Sequence, residues 1–384
     1  MDWNWPPIWP VITANEMEAV SECLRSEAWS RGLSIQKFEK SFASFLGVEH
    51  ALTVTNATHG LFLALQALGV GPGDEVIVPA LTWWSTASAV LDCGALPVLA
   101  DIDKDTYCLS VQAVEALLTD KTKAIIPVHL YCSATQMDEL MNLGKMYGVC
   151  IIEDAAQCHG AQWGGQALGC IGDIGVFSFH EKKLLPAGEG GCVVTNNPVL
   201  FERLHELRDH GTHVPGYKSG VSHLTGSNYR MTTIQAAILL VGLNRLPEII
   251  YNEGNNAALL KSEIGDICEL QPLSCPLKIN VRTYYSYCFR LSSIERLSFI
   301  RHVENRTGIK WSPAYISLGH KFRDFCFQHP LGSRLYDAIE EPTVPVAELA
   351  GASEGVRFPH QVLLADPEQI VWFGKMIRKA IADC

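Results

Sequence analysis

Basic residues are in the minority in this 384-residue chain: 30 Lys and Arg stand against 41 Asp and Glu, a formal net charge of −11. No stretch forms a basic stripe, which argues against a nucleic-acid partner. Acidity by itself implies only solubility. No Cys-x-x-Cys pair occurs among the thirteen cysteines, an odd number. The expectation is therefore free, buried thiols in a reducing cytosol, with no disulfides and no metal site. No apolar run reaches the ~18 residues that a membrane-spanning helix needs. The opening Met1-Asp2-Trp3-Asn4-Trp5-Pro6-Pro7 has no basic region followed by an apolar one, so no signal peptide is expected. Internal repeats, low-complexity tracts and long charge runs are missing too. Together these absences read as a cytoplasmic protein that engages neither membrane nor nucleic acid.

What is present suits a folded enzyme. Hydrophobic residues make up 48% and charged residues 18%, and the length favours two domains. From about residue 50 to 195, short apolar runs alternate with helical patterns. The predicted strands are Ala51–Thr55, Glu75–Pro79, Leu96–Ile102, Lys123–Leu130, Cys150–Asp154, Ile174–Phe179 and Cys192–Thr195. Predicted helices include Gly60–Leu68, Val111–Leu118 and Met137–Tyr147. This is the pattern of an α/β fold with a mostly parallel seven-stranded sheet covered on both faces. Asn228–Leu246 reads as a long helix. The large domain is expected over 1–250, with an N-terminal arm, and a smaller α+β domain over 251–384. In the latter, Tyr284–Arg290 reads as a strand, and Ile294–Glu304 and Pro367–Ile381 as amphipathic helices. The glycine-rich stretch 211–226 has few apolar anchors and reads as a mobile or partner-facing loop.

In parallel sheets, ligands sit at the carboxyl ends of strands, and several chemically useful residues fall there. In Thr55-Asn56-Ala57-Thr58-His59-Gly60 a strand ends, and Thr58 is the expected N-cap of a helix whose free N–H groups would hold a phosphate. A capped helix with no ligand gives the same pattern. Pro79-Ala80-Leu81-Thr82-Trp83-Trp84 places two tryptophans after a strand, suited to stacking on a ring or to ordinary packing. Asp154 ends an apolar strand and should be partly buried, where a protonated pyridine nitrogen or a salt bridge would pair it. Gln157, three residues on, is placed to reach a ring hydroxyl or to face solvent. Ser178 either donates to a phosphate or satisfies the strand edge. In Phe177–Gly191 a loop bearing Lys182 and Lys183 joins two apolar strands through Gly188-Glu189-Gly190-Gly191. A lysine desolvated there becomes the neutral amine that forms a Schiff base. Pyridoxal 5'-phosphate needs such a lysine for its aldehyde and a carboxylate for its ring nitrogen. Composition leaves the two lysines as competitors, and spacing from Gly188 separates them.

These motifs in this order resemble the DegT/DnrJ/EryC1/StrS family of sugar aminotransferases, which have the pyridoxal-phosphate fold type I. The markers are Trp29-Ser30-Arg31-Gly32, Thr55-Asn56-Ala57-Thr58, Glu153-Asp154-Ala155-Ala156-Gln157, Ser178-Phe179-His180, Lys183, Gly188-Glu189-Gly190-Gly191, Asn228-Tyr229-Arg230-Met231 and Gln235-Ala236-Ala237. The resemblance implies catalytic roles for Lys183 and Asp154, with Lys183 carrying the cofactor. It places Gln157 beside the ring hydroxyl, Trp83 stacked on the ring, and Ala57, Thr58 and Ser178 on the phosphate. Asn228 would reach the phosphate of a neighbouring subunit, which implies a homodimer with shared sites. Pro79–Trp83, Asp105–Leu109, Pro127–Tyr131 and Ala187–Gly191 look closest to the branch that aminates cyclitol ketones with glutamine in aminoglycoside pathways. Thr55–His59 and Lys183–Gly191 are also similar to 3-amino-5-hydroxybenzoate synthase. The implied activity is transfer of an amino group from an amino acid, with L-glutamine favoured, to a cyclic ketone. A pyridoxal-dependent dehydratase is the rival; some dehydratases of the family carry histidine at the lysine position. A non-catalytic pyridoxal-binding regulator is disfavoured by the charge and by the lack of a DNA-binding module. Two departures from the family stand out: Ala57 occupies a position where glycine is usual, and Trp311–His320, which borders the substrate, matches only loosely.

Overall fold

The computed structural model describes residues 5–26, 28–212, 224–335 and 339–384. Most of the 211–226 segment, namely 213–223, lies outside them. Helices α1 (Ala14–Ser26) and α2 (Leu33–Leu46) precede strand β1 (His50–Val54). Helices and strands then alternate: α3 (Ala57–Ala67), β2 (Glu75–Pro79), α4 (Ser85–Asp92), β3 (Leu96–Ala100), α5 (Val111–Leu117), β4 (Thr122–Ile125), α6 (Met137–Tyr147) and β5 (Cys150–Asp154). A small hairpin, β6 (Gln162–Trp163) and β7 (Gln166–Ala167), comes before β8 (Ile174–Ser178), β9 (Gly191–Thr195), α7 (Pro198–Arg208) and α8 (Thr233–Ile264). The remainder holds β10 (Leu270–Pro272), β11 (Ile279–Val281), β12 (Ser286–Leu291), α9 (Arg296–Thr307), β13 (Ser312–Pro313), α10 (Phe322–Gln328), α11 (Pro345–Leu349), β14 (Gly355–Pro359) and α12 (Pro367–Ala382).

Seven strands form the central sheet in the order β1-β9-β8-β5-β4-β2-β3. The pairs from β8 through β5, β4 and β2 to β3 are all parallel. β9 alone runs antiparallel, to both β1 and β8. The sheet is thus mostly parallel, as the alternation predicts. Its strands are buried nearly throughout, because helices cover both faces. One face packs on Leu61, Leu65, Val90 and Leu204, the other on Phe38, Phe42, Leu140 and Leu239. Gly60 lets α3 lie close on the sheet: a Cβ there would stand 2.7 Å from Val176 Cγ1.

Three boundaries differ from the sequence reading by five residues or more. β4 stops at Ile125, short of the predicted Leu130, because Pro127 has no N–H to give a ladder. The chain stays beside β5 only through an isolated bridge between Val128 and Asp154. The long helix begins at Thr233, five residues after the predicted Asn228, with a capping box between Thr232 and Gln235. It then continues to Ile264, so residue 250 lies inside it. By length and composition α8 is apolar enough to cross a membrane. Here it packs against α1, α2 and α12. A second core, built on Phe289, Phe299, Phe358 and Phe373, lies around the four-stranded sheet β10-β12-β14-β13.

Candidate active site

Asp154 and Ser178 are the last residues of the parallel neighbours β5 and β8. β1 is antiparallel to β9, as β8 is, so it ends on the same rim and leads into Thr55-Asn56-Ala57. The sheet therefore brings three chemical pieces, far apart in sequence, to one edge.

The turn after β1 corrects one expectation. Asn56, not Thr58, is the N-cap of α3, and its Oδ1 accepts the His59 N–H at 2.8 Å. Thr58 lies in the first helical turn. Ala57 is the first helical residue and is absent from the positive-φ positions. Alanine in place of glycine therefore strains nothing here. As first-turn residues, Ala57 and Thr58 have no carbonyl within the helix to donate to, and the positive end of the helix dipole sits at their N–H groups. Ser178 is buried beside this turn's support, and its Oγ accepts the His180 N–H at 3.4 Å. At Gly191 a Cβ would stand 2.6 Å from the Asn56 carbonyl carbon and 2.7 Å from the Ala57 nitrogen. Only glycine lets β9 and the turn approach so closely.

Asp154 is more deeply buried than the sequence implies, at 6% exposure. Its Oδ2 accepts from Thr86 Oγ1 at 3.1 Å and its Oδ1 from the Ala156 N–H at 3.2 Å. Burial pushes its pKa above the usual carboxylate value, against those two bonds and the charge of Lys183. Glu153, next to it, points the other way, accepting from the N–H groups of Gly169, Ile171 and Gly172 and pairing with His129 at 2.8 Å. That pairing fixes the loop behind β5 and keeps the second carboxylate out of the site.

The two lysines part company in the β8–β9 loop. The Phe179 N–H bonds Gly190 O, the Ala187 N–H bonds Phe179 O, and the Glu181 N–H bonds Gly188 O, with Gly188 in the left-handed region at φ 81°. Within this frame Lys182 is exposed. Lys183 turns inward, its Nζ 4.0 Å from the centre of the Tyr285 ring. Burial lowers the Lys183 pKa and outweighs the opposing pull of Tyr285 and Asp154.

Around Lys183 stands a group of phenols that sequence reasoning did not assemble. Gln157, buried, donates through Nε2 to Tyr315 Oη at 3.1 Å, and its Oε1 accepts from the Tyr131 N–H at 3.4 Å. Tyr131 Oη in turn accepts the Tyr315 N–H at 2.8 Å. Tyr285 and Tyr315 hydrogen-bond each other. Burial pushes Tyr285 up, but the charges of Lys183 and Arg357 prevail and its pKa is lowered; burial and the neighbouring Tyr285 raise Tyr315. Trp83 is 56% exposed, its ring centre 5.6 Å from that of Tyr315. Asn228 is exposed as well. It neighbours Tyr229, whose carbonyl accepts the Thr55 N–H at 2.9 Å. Thr86, Tyr131, Tyr285 and Arg357 were not singled out from the sequence. Only Tyr315 lay in a segment marked as bordering the substrate.

A desolvated amine and a buried carboxylate on the rim of a seven-stranded sheet, beside a helix N-terminus with spare N–H groups, form the site of a pyridoxal-phosphate-dependent transferase. The chain belongs to the DegT/DnrJ/EryC1/StrS aminotransferase family, whose profile matches residues 10–332. An L-glutamine:2-deoxy-scyllo-inosose aminotransferase of Streptomyces lividus is 38% identical to it, over 97% of this chain and 94% of that protein. A GDP-perosamine synthase of Caulobacter vibrioides is 44% identical over 62% of this chain and 64% of its own length. The crystal structure of 3-amino-5-hydroxybenzoic acid synthase matches with a TM-score of 0.88 at 32% identity, covering 98% of this chain and 99% of that one. The protein is a pyridoxal-phosphate-dependent aminotransferase of fold type I.

Proposed function

We propose that this aminotransferase moves the amino group of L-glutamine to the ketone of a cyclitol such as an inosose, in aminocyclitol antibiotic biosynthesis. The observation that carries this reading is the match to the S. lividus enzyme along nearly the whole of both chains. It includes Trp311–His320, the segment in which family resemblance is loosest.

The residues fit the cofactor. Asp154 is a buried carboxylate with no ion-pair partner among the described residues, held by a hydroxyl and one N–H, and a protonated ring nitrogen would complete it. Ala57, Thr58 and Ser178 would hold the phosphate, Gln157 the ring hydroxyl, and Trp83 would cover the ring. When bound, the cofactor supplies the electron sink that makes the donor's α-carbon acidic. The protein's part is to hold and move protons. Asp154 would keep a proton on the ring nitrogen. Lys183 Nζ, its pKa lowered by burial, takes the α-proton of the donor and returns it on the other side of the exchange. The Tyr285 ring lies against that amine, and its hydroxyl is tied to Tyr315.

The same reading makes the protein a cytoplasmic homodimer in which Asn228 serves the phosphate of the partner's site. Support comes from the exposure of Asn228 and from apolar surface on the same chain, where Trp29 is 60%, Leu33 59% and Trp84 47% exposed. It also sets a large domain over 1–250 against a small one over 251–384, joined through α8.

The test is the visible absorbance of the purified protein before and after L-glutamine, without acceptor, followed by addition of an inosose. Glutamine should convert the spectrum and the inosose should restore it. Conversion restored only by a GDP-linked ketosugar would move the acceptor to the class suggested by the Caulobacter relative. A spectrum unmoved by glutamine, glutamate or alanine would overturn the reading in favour of a dehydratase.

A further inference from the structure

At Tyr131 and Cys132, both buried, the backbone is left-handed, with φ of 51° and 60°. Among the described residues they are the one adjacent pair of non-glycine residues with positive φ. The Ser133 N–H closes the turn on Leu130 O at 3.0 Å. A turn with two such central residues ordinarily takes Asn and Gly, and residues that carry a Cβ are strained in it. Strain of this kind persists only where the surroundings over-determine it. Here the restraint comes from one stretch, residues 274–286. Arg282, half-buried between β11 and β12, donates from Nε to Cys132 O at 2.7 Å and from Nη2 to Leu273 O at 3.2 Å. Its guanidinium also lies 5.4 Å from the centre of the Tyr284 ring. Cys132 Sγ faces Ser286 O at 3.4 Å, and Ser133 Oγ donates to Ser274 O at 2.9 Å.

The turn presents the Tyr131 N–H to Gln157 Oε1 at 3.4 Å, and the Tyr131 Oη to the Tyr315 N–H at 2.8 Å. A backbone N–H can only donate, so the end of the Gln157 amide that faces it must be the oxygen. The amide's NH2 is then turned away from Tyr131, where it meets Tyr315 Oη at 3.1 Å. An ionised ring hydroxyl accepts hydrogen bonds and gives none, so the end of the amide it meets must be the NH2. Were the turn to relax, the Tyr131 N–H would leave Gln157, and either end of the amide could face the ring. We propose that Arg282 is a positioning residue: by clamping the Tyr131–Cys132 turn in its left-handed conformation, it sets which end of the Gln157 amide faces the cofactor's ring hydroxyl. This rests on Gln157 as the contact of that hydroxyl in the proposed function. Arg282 acts through the turn and the glutamine, not by touching the cofactor.

The experiment titrates the full-length protein, freed of cofactor, with pyridoxal 5'-phosphate and with its analogue that lacks the ring hydroxyl. Dissociation constants are read from absorbance. Arg282→Met should weaken pyridoxal phosphate roughly 5-fold, the worth of one hydrogen bond, and leave the analogue's constant as in wild type. Adding Cys132→Gly to Arg282→Met should recover most of the loss, because glycine takes left-handed angles without strain. A merely structural role for Arg282 would weaken both ligands alike and show no such rescue. Equal weakening of the two ligands, unchanged binding of pyridoxal phosphate, or a double variant no better than Arg282→Met would overturn the assignment. If Arg282→Met does not fold, Arg282→Lys, which keeps the charge and loses the planar fork, carries the same comparison and the same outcomes. Wild-type protein that binds the two ligands equally takes Gln157 off the ring hydroxyl and this inference with it, while the proposed amino transfer stands. Wild-type protein that takes up no pyridoxal phosphate removes both.

Discussion

Burial sets Lys183 and Asp154 against their own charges in opposite directions. The folded pKa of Asp154 is raised, so between its unfolded and folded values the native state holds a proton that the unfolded chain has released. Its contribution to stability is present at low pH and is lost as pH rises through the raised folded value. The folded pKa of Lys183 is lowered. From that value up to the unfolded one the unfolded chain holds the extra proton, and stability rises with pH. Asp154→Asn removes a desolvated charge while Thr86 and Ala156 keep a partner. The cofactor-free variant should therefore equal or exceed wild type in urea midpoint near pH ~7, and the cofactor-loaded variant should fall below it. A variant weaker in both states would assign Asp154 to the fold alone. Lys183→Ala should lower turnover roughly 10²–10⁴-fold or more, the usual worth of a positioned acid–base group, with little change in thermal midpoint. Exposed Lys182→Ala should leave turnover near wild type; equal losses in the two variants would dissolve the distinction between them.

One element, α3, links stability to cofactor retention. Its cap is the Asn56 side chain, so Asn56→Ala should cost about 1 kcal/mol of stability. It should also loosen the turn that presents the Ala57 and Thr58 N–H groups. Gly191→Ala acts on the same turn from the other side, where the added methyl meets backbone that cannot swing away. Its expected signature is faster loss of cofactor on dialysis, out of proportion to any drop in denaturant midpoint. Cofactor retention like that of wild type in Gly191→Ala would show that the turn does not hold the phosphate. The helices also show what local sequence conveys. The start and end of α6 at Met137 and Tyr147 follow from apolar spacing and the left-handed Gly148. The Asn56 cap was misassigned, because Asn56 and Thr58 are both good caps and only the exit angle of β1 chooses between them.

On the scale of the whole molecule, the shared site of the proposed homodimer makes a direct prediction. Lys183→Ala and Asn228→Ala proteins, each impaired alone, should regain activity when unfolded and refolded together. Such a mixture forms some dimers in which one site has both residues intact, and the other has neither. No recovery, or a monomer by sedimentation, would end the shared-site reading. The sequence alone determined the seven strands, their mostly parallel order of appearance, and the Asp154–Ser178–Lys183 set. Each of these is local: an apolar run, a turn, and the residue that follows it. Tertiary structure decided what surrounds the lysine. Tyr131, Tyr285, Tyr315 and Arg357 come from four separate segments, and local sequence assigns none of them a role beside the lysine. Arg357 comes beside the segments of Tyr285 and Tyr315 because β14 pairs with β12 and β13 in one register, a property of the folded sheet, and Tyr131 joins them through its hydrogen bond from the Tyr315 N–H. Tertiary structure also gave the two lysines, which spacing from Gly188 already distinguishes, their different surroundings. The loop held by Gly188 and Gly190 turns the Lys183 amine onto the Tyr285 ring and leaves Lys182 exposed.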